Sequence, residues 1–272
     1  MANRMWSNRM LEFAGQSVEL GREDQAVEYL QQLVKKSPEN LAAQEQLADL
    51  HVRSGRSAQA IRQLEQAVEA TSNRHSLHVK LGNLYLNEKK LLAAERQAQL
   101  AVEMEPDSPT AWELKGDVHG NKREWSESTN AYQRALALDP RNSQLAIKIC
   151  GIFLDTERPL RALSTIEQLI AESTTASQSQ EILLMHGTIL TEVKNYKRAI
   201  EQLQTACTQP NCGLEAYLRL SNAQLLAGRQ DEARETLVLA QSRFPDDTTR
   251  QLLEPVTNSA NNIIPTRTAA RE

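Results

Sequence analysis

No stretch of this 272-residue chain approaches the run of about 18 apolar residues that a membrane-spanning helix needs, so no membrane partner is expected. An excess of positive charge is also missing. The 31 Lys and Arg stand against 35 Asp and Glu, a net charge of −4, which opposes the phosphate neutralisation that general nucleic-acid binding depends on. Cysteines number only 3 (Cys150, Cys207 and Cys212), too few for a disulfide framework and consistent with a reducing, cytoplasmic setting. Met1 to Met10 is polar, with Arg4 and Arg9, and lacks the apolar centre of a secretory signal. Aromatic residues make up 4% of the chain, and no segment alternates β-branched with polar residues, so no sheet is expected. There is no phosphate-cradling Gly-rich loop, no His-Glu-x-x-His and no Gly-x-Ser-x-Gly. No catalytic residue, metal ligand or cofactor is therefore expected, and the chain is not read as an enzyme.

What remains is rich in alanine, leucine, glutamine and glutamate, all good helix formers. A fixed period orders them. Gly82 and Gly116 are 34 residues apart, and so are Pro106 and Pro140. Such a period in helical sequence marks a solenoid whose units each pack on their neighbours. Units of 34 start at Ser7, Leu41, His75, Pro109 and Ser143; after residue 176 the register slips by three residues and resumes at Gln180 and Leu214. Position 8 of the seven units is always small: Ala14, Ala48, Gly82, Gly116, Cys150, Gly187 and Ser221. Position 20 reads Ala26, Ala60, Ala94, Ser128, Ala162, Ala199 and Ala233. Small residues at both places let two antiparallel helices approach closely.

Within a unit, positions 4, 7, 8 and 11 fall on one helix face, as in His78, Leu81, Gly82 and Tyr85. Positions 20, 24 and 27 form a second face, as in Ala199, Leu203 and Ala206. Gly21, Gly55 and Gly228 share position 15, where a left-handed residue would end the first helix. Pro159, at position 17, suits the first turn of the second helix. Pro38, Pro106, Pro140 and Pro245 share position 32, where the second helix must stop. Ser108-Pro109 supplies an N-cap and a first-turn proline.

These residues resemble the tetratricopeptide repeat pattern of Trp at 4, Leu at 7, Gly at 8, Tyr at 11, Ala at 20, Phe or Tyr at 24, Ala at 27 and Pro at 32. The third unit matches through Leu81, Gly82, Tyr85, Ala94, Ala101 and Pro106. The fourth matches through Trp112, Gly116, Tyr132, Ala135 and Pro140 and departs at Lys115, His119 and Ser128. The fifth and sixth have Thr174 and Asn211 where proline is usual. The resemblance implies an all-α, right-handed superhelical solenoid of about seven helix-turn-helix repeats, with the first helices lining a concave groove. The expected organisation is a lead-in at 1–6, repeats one to five at 7–176, an insertion at 177–179, repeats six and seven at 180–247, a capping helix at 248–254 and a disordered tail at 255–272.

On a helix turning about 100° per residue, positions 2, 5, 9, 12 and 13 lie opposite the packing face. In the family those positions face the groove. Here they nominate Asp49, Arg53, Asn83, Asn87, Glu113, Asp117 and Asn121 in the amino-terminal half, with Ile147, Leu154, Leu184, Leu218 and Asn222 in the carboxy-terminal half. Glu45, Val79, Leu86 and Leu225 share the same faces. The first set is polar and the second more aliphatic, which favours a peptide with a basic or polar part and an aliphatic part. Asn83 and Asn222, both at position 9, could bond the N–H and C=O of an extended main chain. The family's grip on an acidic C-terminal tail fits poorly, because Val79 and Leu114 stand where that clamp needs Lys and Asn.

The remaining chemistry reads as packing. His75 and His78 have a chelating spacing without an adjacent third ligand, and His51, His119 and His186 occupy packing positions. Cys150 sits at a core position, and Cys207 and Cys212 bracket Pro210. The expectation is a non-catalytic scaffold or adaptor, a monomer or weak dimer, that binds a protein or peptide partner. An assembly factor or co-chaperone subunit is the alternative, and an RNA-binding helical repeat is the distant one.

Overall fold

The structure is a computed structural model that describes residues 2–70, 74–173, 179–210 and 212–245. Among these it contains fourteen α-helices and no strand. In chain order they are α1 (Ala2–Glu19), α2 (Glu23–Lys36), α3 (Leu41–Arg53), α4 (Ser57–Ala70), α5 (His75–Asn87), α6 (Leu91–Met104), α7 (Pro109–Asn121), α8 (Trp125–Leu138), α9 (Ser143–Asp155), α10 (Pro159–Glu172), α11 (Gln180–Glu192), α12 (Tyr196–Thr208), α13 (Leu214–Leu226) and α14 (Gln230–Arg243). The expected capping helix at 248–254 and the tail at 255–272 lie outside the described residues, as do Thr174, Asn211 and residues 177 and 178 of the insertion. α1 begins at Ala2, so the lead-in continues the first helix.

Local sequence sets where the helices start. Asn40, Ser108 and Asn142 each turn a side-chain oxygen onto the third N–H of α3, α7 and α9 at 3.1, 3.4 and 3.2 Å. Pro109 and Pro159 occupy first-turn positions of α7 and α10, where a missing N–H costs nothing. At repeat position 4, unlike side chains make the same tie. Gln44 donates to the Pro38 carbonyl at 2.6 Å and Trp112 to the Pro106 carbonyl at 2.7 Å, each joining a first helix to the proline that ended the preceding repeat.

The turn inside each repeat is uniform. Position 15 has positive φ in all seven: Gly21, Gly55 and Gly228 at 71, 71 and 75°, and Lys89, Arg123, Glu157 and Lys194 at 58, 60, 56 and 62°. The N–H of the next residue closes a bond to the carbonyl five residues back, as in Arg22 to Ser17 (2.8 Å), Lys90 to Tyr85 (2.8 Å) and Arg158 to Phe153 (2.7 Å). A residue with a Cβ costs about 1–2 kcal/mol in this conformation, so the four non-glycine turns carry strain. Glycine at Glu157 loses part of that gain to the unfolded chain's greater freedom. Glu157→Gly is therefore expected to stabilise by about 0.5–1 kcal/mol, read as a higher urea midpoint; a lower midpoint would mean that the glutamate side chain itself holds the turn.

Each first helix packs on its own second helix. The seven residues at position 20 are all fully buried, at 0% exposure. Ser128, the one hydroxyl among them, donates to the Gly116 carbonyl at 2.8 Å and so replaces alanine without an orphaned polar group. The chain forms two compact units divided between Asp139 and Pro140. The first comprises α1–α8, with one core cluster around Ala26, Leu30, Leu33 and Leu47 and another around Leu64, Leu77, Leu81 and Leu114. The second comprises α9–α14, with clusters around Leu190, Leu203 and Leu220 and around Cys212, Tyr217 and Leu237.

Candidate peptide-binding faces

In the first unit, α3, α5 and α7 turn one face to solvent. Asp49, Arg53, Asn83, Asn87 and Asn121 are exposed, while Glu113 and Asp117 are half-buried. Four of these seven meet in one place. Asn83, Leu86, Asn87, Lys89, Asp117 and Asn121 line a shallow depression of about 320 Å³. Leu86, nominated from its spacing as a surface residue, is only 7% exposed and belongs to the core beneath. Asp117 accepts the Tyr132 hydroxyl at 2.5 Å. Asn121 donates to the Asp117 main-chain carbonyl at 2.9 Å and accepts from Lys89 Nζ at 3.5 Å. Burial, then the charge of Asp117, pushes the Tyr132 hydroxyl above its ordinary value, so it stays a donor.

The acids of this face have internal cations. Lys80 Nζ reaches Glu45 at 3.0 Å and Asp49 at 3.3 Å, and Arg53 reaches Glu23 of α2 at 3.0 Å. Burial works against the charge of Lys80, but its bond to Glu45 and the field of Asp49 raise its pKa overall. Sequence reasoning missed these pairs because their partners are about thirty residues apart, one repeat along.

In the second unit Asn222 is exposed, whereas Ile147, Leu154, Leu184 and Leu218 are half-buried. Leu184 and Leu218 lie against the cluster of Cys212, Ala216 and Tyr217, so part of their apolar surface already joins α11 to α13. Beside them Arg219 donates to Thr188 and pairs with Glu215 at 2.6 Å. Asn83 and Asn222 belong to different units, and each is placed only within its own.

The histidines and cysteines nominated for packing are buried or half-buried, and some of them are hydrogen-bonded. His78 Nδ1 bonds Gln97 Oε1 at 2.7 Å. Burial pushes the Cys150 thiol up to about 12, and it donates to the Ala162 carbonyl at 3.4 Å. Burial, then its neighbour Cys212, does the same to Cys207, which also reaches about 12. Thiols held protonated in this way are poor nucleophiles. One cluster that the sequence did not suggest gathers Glu95 of α6, His119 of α7 and Glu124 before α8, with possible ligand atoms within 4.8 Å of one another. Its cation is already internal: Lys122 Nζ lies 2.9 Å from both Glu95 and Glu124. No described helix is long and apolar enough to cross a membrane.

Seven helix pairs, each joined by one turn geometry, define a helical-repeat protein. The Tetratricopeptide repeat profile matches residues 17–78, 79–143 and 215–247, more than half of the chain. The chain belongs to the tetratricopeptide repeat family. No curated protein matches it by sequence. Among solved structures it is similar to a tetratricopeptide repeat protein from Parabacteroides merdae ATCC 43184, at 13% identity and a TM-score of 0.63 over 95% of this chain and 100% of that one. It is also similar to pilF of Pseudomonas aeruginosa, at 15% identity and 0.63 over 79% and 96%. A third is YrrB, described as having an unusual peptide-binding site, at 18% identity and 0.57 over 71% and 97%. At these identities the likeness concerns the fold.

Proposed function

We propose that the chain is a non-catalytic scaffold that holds an extended segment of a partner protein against its first-helix faces. The observation that carries this reading is the depression in the first unit, where the exposed amides of Asn83, Asn87 and Asn121 stand on adjacent repeats. A primary amide both donates and accepts, so such a row matches the alternating N–H and C=O of an extended main chain whatever its side chains. The Cys150 and Cys207 thiols are held protonated, and Glu95, His119 and Glu124 are tied to one another and to Lys122, which supports a binding role over a catalytic one. The three free thiols fit a reducing cytoplasm. For the test, short random peptides are selected on the full chain, and the best binder is measured by fluorescence anisotropy. Asn83→Ala with Asn87→Ala should weaken it about thirtyfold, at about 1 kcal/mol for each of the two amides lost. Undiminished binding by that variant would refute the amide row as the site.

A second reading, docking onto a folded partner as a subunit of a larger assembly, draws on α14. Val238 and Leu239 are 67% and 53% exposed there, at positions where α12 carries Gln204 and Thr205. Binding that survives the Asn variant and is lost on Val238→Gln with Leu239→Gln would favour it.

A further inference from the structure

Two of the chain's three cysteines meet where repeat six gives way to repeat seven, and the scaffold reading leaves them without a role. We propose that Cys207 and Cys212 are a reversible redox pair, which a small-molecule disulfide such as glutathione disulfide converts into an intramolecular disulfide that staples the end of α12 to the segment entering α13.

Three observations carry it. First, the two side chains are in contact. Cys207, on the last turn of α12, is hydrogen-bonded to Cys212, and both pack in one apolar cluster with Ala216, Tyr217 and Leu237. The main chain folds the second cysteine back onto the first: the Gln209 N–H bonds to the Ala206 carbonyl at 3.2 Å, and the Cys212 N–H to the Gln209 carbonyl at 3.1 Å. Facing side chains on nearby backbone are what a disulfide requires. Second, both positions depart from the other repeats. Cys207 holds repeat position 28, which is Val34, Val68, Val102, Leu136 and Ile170 in the first five. Cys212 holds position 33, where the other described junctions expose Glu39, Asp107 and Arg141, yet it is only 8% exposed. Sulfur at an aliphatic position and a turned-in residue at an outward one are separate changes, and together they set one thiol on the other. Cys150 is the internal contrast: it is fully buried and donates to a main-chain carbonyl. Third, access is graded. Cys207 is half-buried and Cys212 buried, so a reagent from solvent meets Cys207 first and Cys212 lies behind it. Arg243 of α14, which donates to the Tyr217 hydroxyl, favours the Cys207 thiolate against the burial that opposes it.

The chemistry balances in two exchanges. The Cys207 thiolate attacks one sulfur of glutathione disulfide, breaks its S–S bond and releases one glutathione. Cys212 then gives up its proton, attacks the Cys207 sulfur and releases the second glutathione. Two electrons pass from the protein thiols to the oxidant, and the two thiol protons leave with the two glutathiones. Burial makes the first exchange slow. Contact makes the second fast, because it is intramolecular.

The test incubates the folded full chain with glutathione disulfide and counts free thiols by mass after maleimide labelling in denaturant. The count should fall from three to one, with Cys207 and Cys212 in one cross-linked peptide, and dithiothreitol should restore all three. Cys212→Ser should stop at one glutathione adduct on Cys207. In glutathione redox buffers the folded chain should close the bridge about tenfold more readily than the chain in urea, and the bridged form should show the higher urea midpoint. A parent that keeps three free thiols, an adduct that persists in the parent, a bridge to Cys150 or to a second chain, or closure as easy in urea as in the fold overturns the proposal. If Cys212→Ser loses its helical circular dichroism, Cys212→Ala replaces it, and the parent's thiol count and redox titration decide without either variant.

Discussion

Replacing Gly116 by alanine is expected to destabilise the chain by about 2 kcal/mol, although alanine is the better helix former by about 1 kcal/mol. A Cβ at Gly116 would lie 2.4 Å from both Cδ1 and Cε1 of Tyr132 and 2.9 Å from its Cγ. Those are ring atoms, and the ring cannot swing away. Tyr132 is 5% exposed, and its hydroxyl is tied to Asp117 at 2.5 Å. The helices α7 and α8 must part instead, and protein interiors are packed too densely to absorb that. Gly151 is the internal comparison. It too sits within a helix, but nothing lies within 4 Å of the Cβ it lacks. Gly151→Ala should therefore stabilise by about 0.5–1 kcal/mol. Urea midpoints of the two variants should move in opposite directions. In a Tyr132→Ala background most of the Gly116→Ala penalty should vanish, a coupling that only direct contact produces. Equal midpoint shifts for the two glycines, or an unchanged penalty without the tyrosine, would disprove the clash.

The same glycine shows why the fold is legible in the sequence. Close approach of two helices needs small residues at positions 8 and 20, and small residues recurring every 34 leave a periodic trace. The starts of α3, α5, α7, α9, α11 and α13 at Leu41, His75, Pro109, Ser143, Gln180 and Leu214 fall on that register. The left-handed turn was legible only where glycine marks it. At Lys89, Arg123, Glu157 and Lys194 nothing in the residue type announces a positive φ; register and the bond closing the turn impose it. The exposed faces were legible in part. Helical periodicity places Asn83, Asn87, Asn121 and Asn222 outward, and they are exposed. It does not tell a solvent face from an inter-repeat one, so Leu86 proves buried and Leu184 and Leu218 lie partly against the core. Nor does it say which charges are already paired. The bonds from Lys80 to Glu45 and Asp49 join residues on α5 and α3, a repeat apart in the sequence.

His186→Leu should stabilise the chain by about 2 kcal/mol and remove part of its sensitivity to acid. His186 stands at repeat position 7, which is Leu47, Leu81, Ile149 and Leu220 elsewhere. It is 4% exposed, and neither ring nitrogen has a hydrogen-bond partner. Glu167 Oε1, at 3.9 Å from Nε2, is too distant to serve. A buried polar group left unmatched costs about 1–3 kcal/mol, and leucine fills a similar volume without it. Burial, then the charge of Arg198, lowers the His186 pKa below the ordinary 6.5, with Glu167 opposing in part. The unfolded chain therefore gains a proton as pH falls through about 6.5 while the folded chain still refuses one, so stability is lost on the acid side. Leucine abolishes that proton difference at this site. His51, lowered by burial and then by Arg56, has the same sign and keeps a residual slope. Urea midpoints of parent and variant, compared at neutral pH and at about pH 5, should differ more at the lower pH. Arg198 and Glu167, paired at 2.9 Å on the surface, keep each other in the variant, so the change isolates the imidazole. A variant less stable than the parent at neutral pH, or one with the parent's full acid slope, would mean that the ring is satisfied where the geometry leaves it bare.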